Sequence, residues 1–176
     1  MIDGHHTLSP PAGQLRVFTT HAGLVGRAGH DLELEVVRWR LRLFVVDGRP
    51  RDVSVTADPR SLRVLSATGG RRELSDEDRA DIQQRIHEDV LEGRRIEFRS
   101  THIENEGDEV RIDGELQLGG ERRPLSFTAE VVPPDRIRGS VVIRQTDFGI
   151  KPYSAMLGAL KVADELRVEL DTAVPV

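Results

Sequence analysis

Apolar and polar residues alternate along most of this chain, and the alternation predicts strands. A period of two sends successive side chains to opposite faces of a sheet. Leu15, Val17 and Thr19 alternate with Arg16 and Phe18 and make a first strand. The longest signal, residues 32–46, changes phase: Leu32, Leu34 and Val36 fall on even positions, and Val37, Trp39, Leu41, Leu43 and Val45 on odd ones. A one-residue slip would turn the apolar set outward, so a bulge or corner near Val36-Val37 is required. Arg38, Arg40 and Arg42 then form a solvated outer row, offset by Glu33 and Glu35. Asp47-Gly48 and Pro50 mark a turn. Val53, Val55 and Ala57 follow as a strand, with Leu62, Val64 and Leu65 as a shorter piece.

From residue 94 onward the pattern is β with little interruption. Ile96, Phe98, Ser100 and His102 share one phase, as do Val110, Ile112, Gly114, Leu116 and Leu118. Leu125, Phe127, Ala129 and Val131 come next, then Ile137, Gly139, Val141 and Ile143, and finally Leu166, Val168 and Leu170. Residues 1–13 read as a loosely ordered lead-in to a single domain over 14–176.

Two segments depart from the period of two. Ser75-Asp76-Glu77-Asp78 has capping-box spacing, with its carboxylates at the positive end of a helix dipole. Ile82, Ile86 and Val90 recur every fourth residue, so one amphipathic helix is predicted over about 75–91, outside the sheet or across one end. The second departure follows Pro152, which has no N–H to donate and restricts Lys151 to extended geometry. Met156, Leu157 and Leu160 lie one turn apart, and the chain's only tyrosine, Tyr153, stands at the segment's entrance. This reads as a short helical lid over about 153–160.

About eight strands with one apolar and one charged face predict an all-β fold with minor helix. Closing the antiparallel sheet into a barrel provides a common interior and hides its edges, with a two-sheet sandwich as the fallback. The inward phase contains Ala57, Ser100, Gly114, Ala129 and Gly139 among larger residues. Small residues on five strands either leave an internal cavity or relieve crowding where strands bend. Their spread tilts the reading to a cavity.

Composition narrows the function. Charged residues make up 31% and aromatics 4%, so the interior is built mainly from Leu, Val and Ile. The net charge of -5 is spread along the chain, which argues against nucleic acid and against an anionic membrane surface. Cysteine is absent, excluding disulfides and thiolate chemistry. The N-terminus shows no signal pattern, and no run approaches the ~18 apolar residues of a membrane span. A soluble cytoplasmic protein without stable membrane insertion is the expectation.

The six histidines show no metal-ligand spacing, and no serine-nucleophile or dinucleotide motif is present, so neither metal nor cofactor is expected. His30-Asp31 is a polar pair at the barrel mouth or plain turn chemistry. His102, inward in this register, is a hydrogen-bonded core group before it is a base. Lys151 and Tyr153 meet a ligand head group or serve as surface lysine and packed tyrosine.

The order of these features resembles the YceI-like family of lipocalin-like barrels, known for binding polyisoprenoids and other amphiphiles. The resemblance rests on Val64-Leu65-Ser66, the acidic-started helix, Arg95-Ile96-Glu97-Phe98-Arg99-Ser100-Thr101 and Asp113-Gly114-Glu115-Leu116-Gln117-Leu118-Gly119-Gly120. Arg123-Pro124-Leu125, Phe148-Gly149-Ile150 and the closing Val162-Ala163-Asp164-Glu165-Leu166-Arg167-Val168 complete it. It implies an eight-stranded antiparallel barrel with helices at its rim and an isoprenoid chain through its interior. Many relatives are exported, a role that does not carry over without a signal peptide. No catalytic residue is implied. The expectation is non-catalytic binding of a long-chain isoprenoid or other amphiphilic lipid. Phe98, Gly114, Phe127, Gly139, Phe148, Met156, Leu157 and Leu160 are expected to form cavity or lid, with His30, Lys151 and Tyr153 at the mouth. Two alternatives stay open: an enzyme for a small hydrophobic substrate with His30 or His102 as base, and a ligand-free scaffold. Oligomeric state, including a homodimer, is also open.

Overall fold

The computed structural model describes residues 1–22, 29–70, 72–155 and 160–175, with no side-chain description for 155 and 160. Its strands are β1 (Gly4–Leu8), β2 (Gly13–His21), β3 (His30–Val36), β4 (Trp39–Val46), β5 (Arg49–Ala57) and β6 (Leu62–Gly69). Helix α1 (Asp76–Arg85) comes next, then β7 (Ile96–Glu106), β8 (Glu109–Leu118), β9 (Glu121–Val132) and β10 (Arg136–Arg144). The two-residue β11 (Ser154–Ala155) and the long β12 (Leu160–Ala173) complete the order. Every pairing is antiparallel, in the sequence β1-β4-β5-β7-β8-β9-β10-β12-β2-β3-β6, with β11 on β12 alone.

Eleven strands along this path replace the eight expected. Two sequence features account for most of the difference. The phase change at Val36-Val37 is a corner that divides one long signal into β3 and β4. Val37 N–H donates to the Ser61 carbonyl at 3.0 Å, and Asp58 N–H to the Arg38 carbonyl at 2.9 Å. The supposed lead-in contributes β1, which pairs with β4 from Gly4↔Val45 to Leu8↔Leu41. Asp3 fixes its start, its carboxylate accepting from Asp47 N–H (3.1 Å) and Gly48 N–H (2.8 Å) in the β4–β5 turn. Only Leu8 of β1 is buried, so alternation alone was too faint to reveal it.

Among the described residues no ladder joins the two ends of the path, β1 and β6, so the sheet is a curled half-barrel rather than a closed one. An exposed edge leaves backbone groups unpaired. The β6 edge is covered by the helix. Gln83 Oε1 accepts from Val64 N–H at 3.0 Å, and Arg79 Nη1 reaches the Val64 and Leu65 carbonyl oxygens at 3.4 Å.

Helix α1 starts as its spacing predicts. Ser75 Oγ accepts from Asp78 N–H (3.1 Å), and the Asp78 carboxylate accepts from Ser75 N–H (2.9 Å). A wider π-helical turn, Ile86–Val90, carries it on to Gly93, whose φ of 64° lets the chain leave the helix. Ile82, Ile86, Val90 and Leu91 face the concave side of the sheet.

The lid helix over 153–160 does not form at either of its described ends. Ser154 and Ala155 pair with Lys161 and Leu160, and Val162 N–H donates to the Tyr153 carbonyl at 3.0 Å. Extended backbone at 154–155 and again from 160 takes the place of helical turns. Met156 and Leu157 lie outside the described residues.

Candidate functional site

Strand alternation points the aliphatic face of the sheet inward, but the residues do not meet across the middle. They surround a cavity of about 1120 Å³. Leu15, Leu34, Leu41, Val55, Leu62, Phe98, Ile112, Leu125, Ile137, Val141 and Val168 supply its wall from ten strands, and Ile82, Ile86 and Val90 its cover. Two packed clusters hold it open. One joins Leu8, Leu15, Val36, Trp39, Leu41, Leu43, Val45, Val53 and Val174; the other gathers Leu91, Phe98, Val110, Ile112, Leu116, Leu118, Ala129, Ile143, Phe148 and Ile150.

The small inward residues divide by role. Ala57, Ala129 and Gly139 line the cavity. A Cβ at Gly139 would lie 3.6 Å from Ala129 Cβ and 3.7 Å from the Phe127 ring, which is ordinary contact. Gly114 does not line it. The Phe98 ring occupies the space over Gly114, where a Cβ would come within 2.5 Å of Phe98 Cζ and collide with the Arg99 carbonyl oxygen. Gly114 is therefore the seat on which Phe98 turns toward Phe127, the ring centroids 5.3 Å apart.

A register shift between Ser100 and His102 on β7 corrects two more expectations. Ser100 faces the outer groove, accepting from Val53 N–H at 2.9 Å and donating to Asp52 at 3.1 Å. His102 is exposed, not a core group. Phe148 is buried but packs behind the wall beside the Gly119 turn instead of lining the interior. Lys151 is exposed and away from the cavity, whereas Phe127, His30 and Tyr153 do line it. Leu160 is placed only by its backbone, at the start of β12.

At one end the lining turns polar. The ends of β2 and β3, Arg72, helix α1, Tyr153 and the start of β12 bring His21, His30, Arg72, Asp78, Asp81, Arg85, Tyr153 and Lys161 together. His30 and Asp31, adjacent on a strand, point to opposite faces and do not pair. Asp31 instead accepts from His21 backbone N–H and from His21 Nδ1, both at 2.7 Å. The backbone bond, ahead of the imidazole, holds the Asp31 carboxyl below its usual range. His30 Nε2–H donates to the Arg72 carbonyl at 2.8 Å. Arg72 forks onto Asp78 at 2.7 and 2.8 Å, and this contact, with the Ser75 cap, holds Asp78 far below the ordinary carboxylate range. The Arg85 guanidinium lies 6.0 Å from the centre of the Tyr153 ring.

Sequence reasoning passed over Arg72, Asp78, Asp81, Arg85 and Lys161 as mouth residues. The helix cap accounted for the carboxylates, and no motif links residues so far apart in the chain. Among the described residues no group of three or more His, Asp or Glu side chains is arranged to hold a metal ion, and no helix is long and apolar enough to cross a membrane.

A curled antiparallel sheet around an apolar interior, open at a polar end, defines a class of β-barrel-like protein with a hollow core. The chain belongs to the YceI-like domain family, whose model matches residues 16–174. Its fold is similar to that of BcnA from Burkholderia cenocepacia, with a TM-score of 0.68 at 13% identity over 93% of this chain and 96% of that one. It is also similar to a polyisoprenoid-binding domain from Saccharophagus degradans implicated in plant cell wall breakdown, with a TM-score of 0.61 at 9% identity over 99% and 100%. A search of curated proteins finds no match.

Proposed function

We propose that the protein binds a lipid or other amphiphile, polyisoprenoid-like in length and apolarity, in the interior of its sheet and performs no chemistry on it. The observation that carries this reading is the aliphatic cavity of about 1120 Å³. Small-molecule sites usually span about 300–1,000 Å³, so the interior has room for a long tail. Burying each methylene contributes up to ~0.8 kcal/mol, whereas a hydrogen bond nets only ~1 kcal/mol. A tail of many carbons therefore outweighs any single polar contact, even after the cost of ordering it. The description of the Saccharophagus degradans domain as polyisoprenoid-binding supports the same ligand class. Catalysis with His102 as base has no geometry, because that side chain faces solvent. His30 already gives its Nε2–H to a backbone carbonyl.

The test is calorimetric titration of delipidated full chain with farnesol. One saturable equivalent with a negative heat-capacity change is expected, the signature of apolar burial. Gly139→Phe, which projects a ring into the space, should weaken uptake by at least about tenfold. It should lower Tm by no more than about 4 °C in a domain of this size. Absence of saturable uptake by the folded wild type would reject the reading.

A further inference from the structure

Among the polar side chains in the cavity wall, Gln145 and Thr172 donate to backbone carbonyls, while one buried hydroxyl is left unpaired. Thr19 is 9% exposed and lines the cavity, and among the described residues its Oγ1 has no hydrogen-bond partner. A buried hydroxyl left unpaired is unfavourable, so its place in a mainly aliphatic wall calls for an acceptor from outside the chain. Register gives its depth. Thr19 precedes His21 by two residues on the same face of β2, about 6.6–6.8 Å further in. His21 pairs with Val162, the neighbour of Lys161, and Val162 is held to Tyr153 by a 3.0 Å hydrogen bond. The hydroxyl therefore lies just below the polar mouth.

The charges at that mouth are not all balanced. Asp78 takes Arg72, and Asp31, which accepts from His21, does not line the cavity. Arg85 and Lys161 also line the opening, and among the described residues neither has a carboxylate within salt-bridge distance. Among the described lining residues Asp81 is the one carboxylate outside the Arg72–Asp78 pair, so Arg85 and Lys161 face a single anion on a chain whose net charge is -5. Long cationic stems can lie along apolar surface and bring their charges to a recessed group. A cleft with low-dielectric walls concentrates the resulting field at its opening.

We infer that the amphiphile bound in the interior carries an anionic oxygen head group, a carboxylate or a phosphate monoester, met by Arg85 and Lys161 and accepting a hydrogen bond from Thr19. The inference rests on the amphiphile-binding reading and adds to it a preference among heads on the same tail.

The experiment compares farnesol with farnesyl phosphate, and hexadecanol with palmitate, at monomeric concentrations and low ionic strength on delipidated full chain. The charged member of at least one pair should bind at least about tenfold more tightly, and which pair shows it distinguishes phosphate from carboxylate. Added salt should shrink the ratio, as screening requires. In an Arg85→Gln/Lys161→Gln variant, whose changed side chains are exposed and leave the core alone, the charged-to-neutral ratio should fall toward one. Thr19→Val, close in shape but without the hydroxyl, should weaken the preferred charged ligand severalfold. Alcohols binding as tightly as their charged partners would overturn the head-group inference and leave the amphiphile reading standing. Failure of all four compounds to bind would remove that reading as well.

Discussion

Gly114 and Gly139 interrupt apolar strands in the same way in the sequence, yet their surroundings differ. At Gly114 a methyl group would meet the Arg99 carbonyl oxygen, which is backbone and cannot swing aside, as well as the Phe98 ring. At Gly139 it would meet only ordinary contacts. Gly114→Ala should therefore cost about 1–3 kcal/mol through overpacking, set against the about 0.4–1 kcal/mol that reduced freedom of the unfolded chain returns. Gly139→Ala should be neutral or slightly stabilising. Urea unfolding of both variants measures the contrast, and equal stabilities would mean the Phe98 seat is misassigned. Alternation marked both glycines as inward but could not show that a ring from the next strand fills one gap. The same blindness put Ser100 and His102 inward, because Ile96 and Phe98 set the phase, whereas Ile103, packed on the core beyond the register shift, falls on the opposite one. Charge placement was read less well still. Glu33, expected to offset the Arg38/Arg40/Arg42 row, is taken by Arg16 at 2.7 Å and by the Ser66 hydroxyl at 3.0 Å.

At the scale of elements, legibility followed the strength of the local signal. The helix had two independent marks, a cap and an every-fourth-residue stripe, and it formed where they placed it. Ser75→Ala should cost about 1 kcal/mol, the usual worth of an N-cap, measured by denaturant unfolding. The short apolar run at 156–160 had no capping box, since Leu157 stands three residues after Ser154, and so short a run does not distinguish a helical turn from strand. Strand β1 has one buried apolar residue and was missed. If β1 is an integral strand, Leu8→Ala should cost about 2–3 kcal/mol, within the range for emptying a buried leucine site. A loss under about 0.5 kcal/mol would return residues 1–13 to a loose lead-in.

For the molecule as a whole, the antiparallel sheet was legible from alternation, and the family from the ordered motifs. The strand number and the open seam were not, because each depends on which strands find one another across the chain. One global property follows from the carboxylates. Asp3, Asp31, Asp58, Asp78, Asp113 and Asp164 all titrate below their ordinary range, mostly through hydrogen bonds from backbone N–H, arginine and hydroxyl groups. The unfolded chain binds protons at these sites first, at about pH 4, so the folded state gains from them above that pH and loses as the pH falls through the lower folded values. Urea midpoints should accordingly show no loss from these groups between about pH 7 and 5, then a decline below about pH 4. A midpoint rising on acidification would contradict the assignment.

Amphiphile binding requires that an apolar tail occupy the interior in the functioning protein. Native mass spectrometry of the full chain purified from its own host measures this most directly. The expected result is a species heavier than the bare chain by the mass of one amphiphile, which organic extraction removes and one equivalent of added isoprenoid restores. A bare-chain mass throughout, with no adduct before extraction and none after addition, would contradict it.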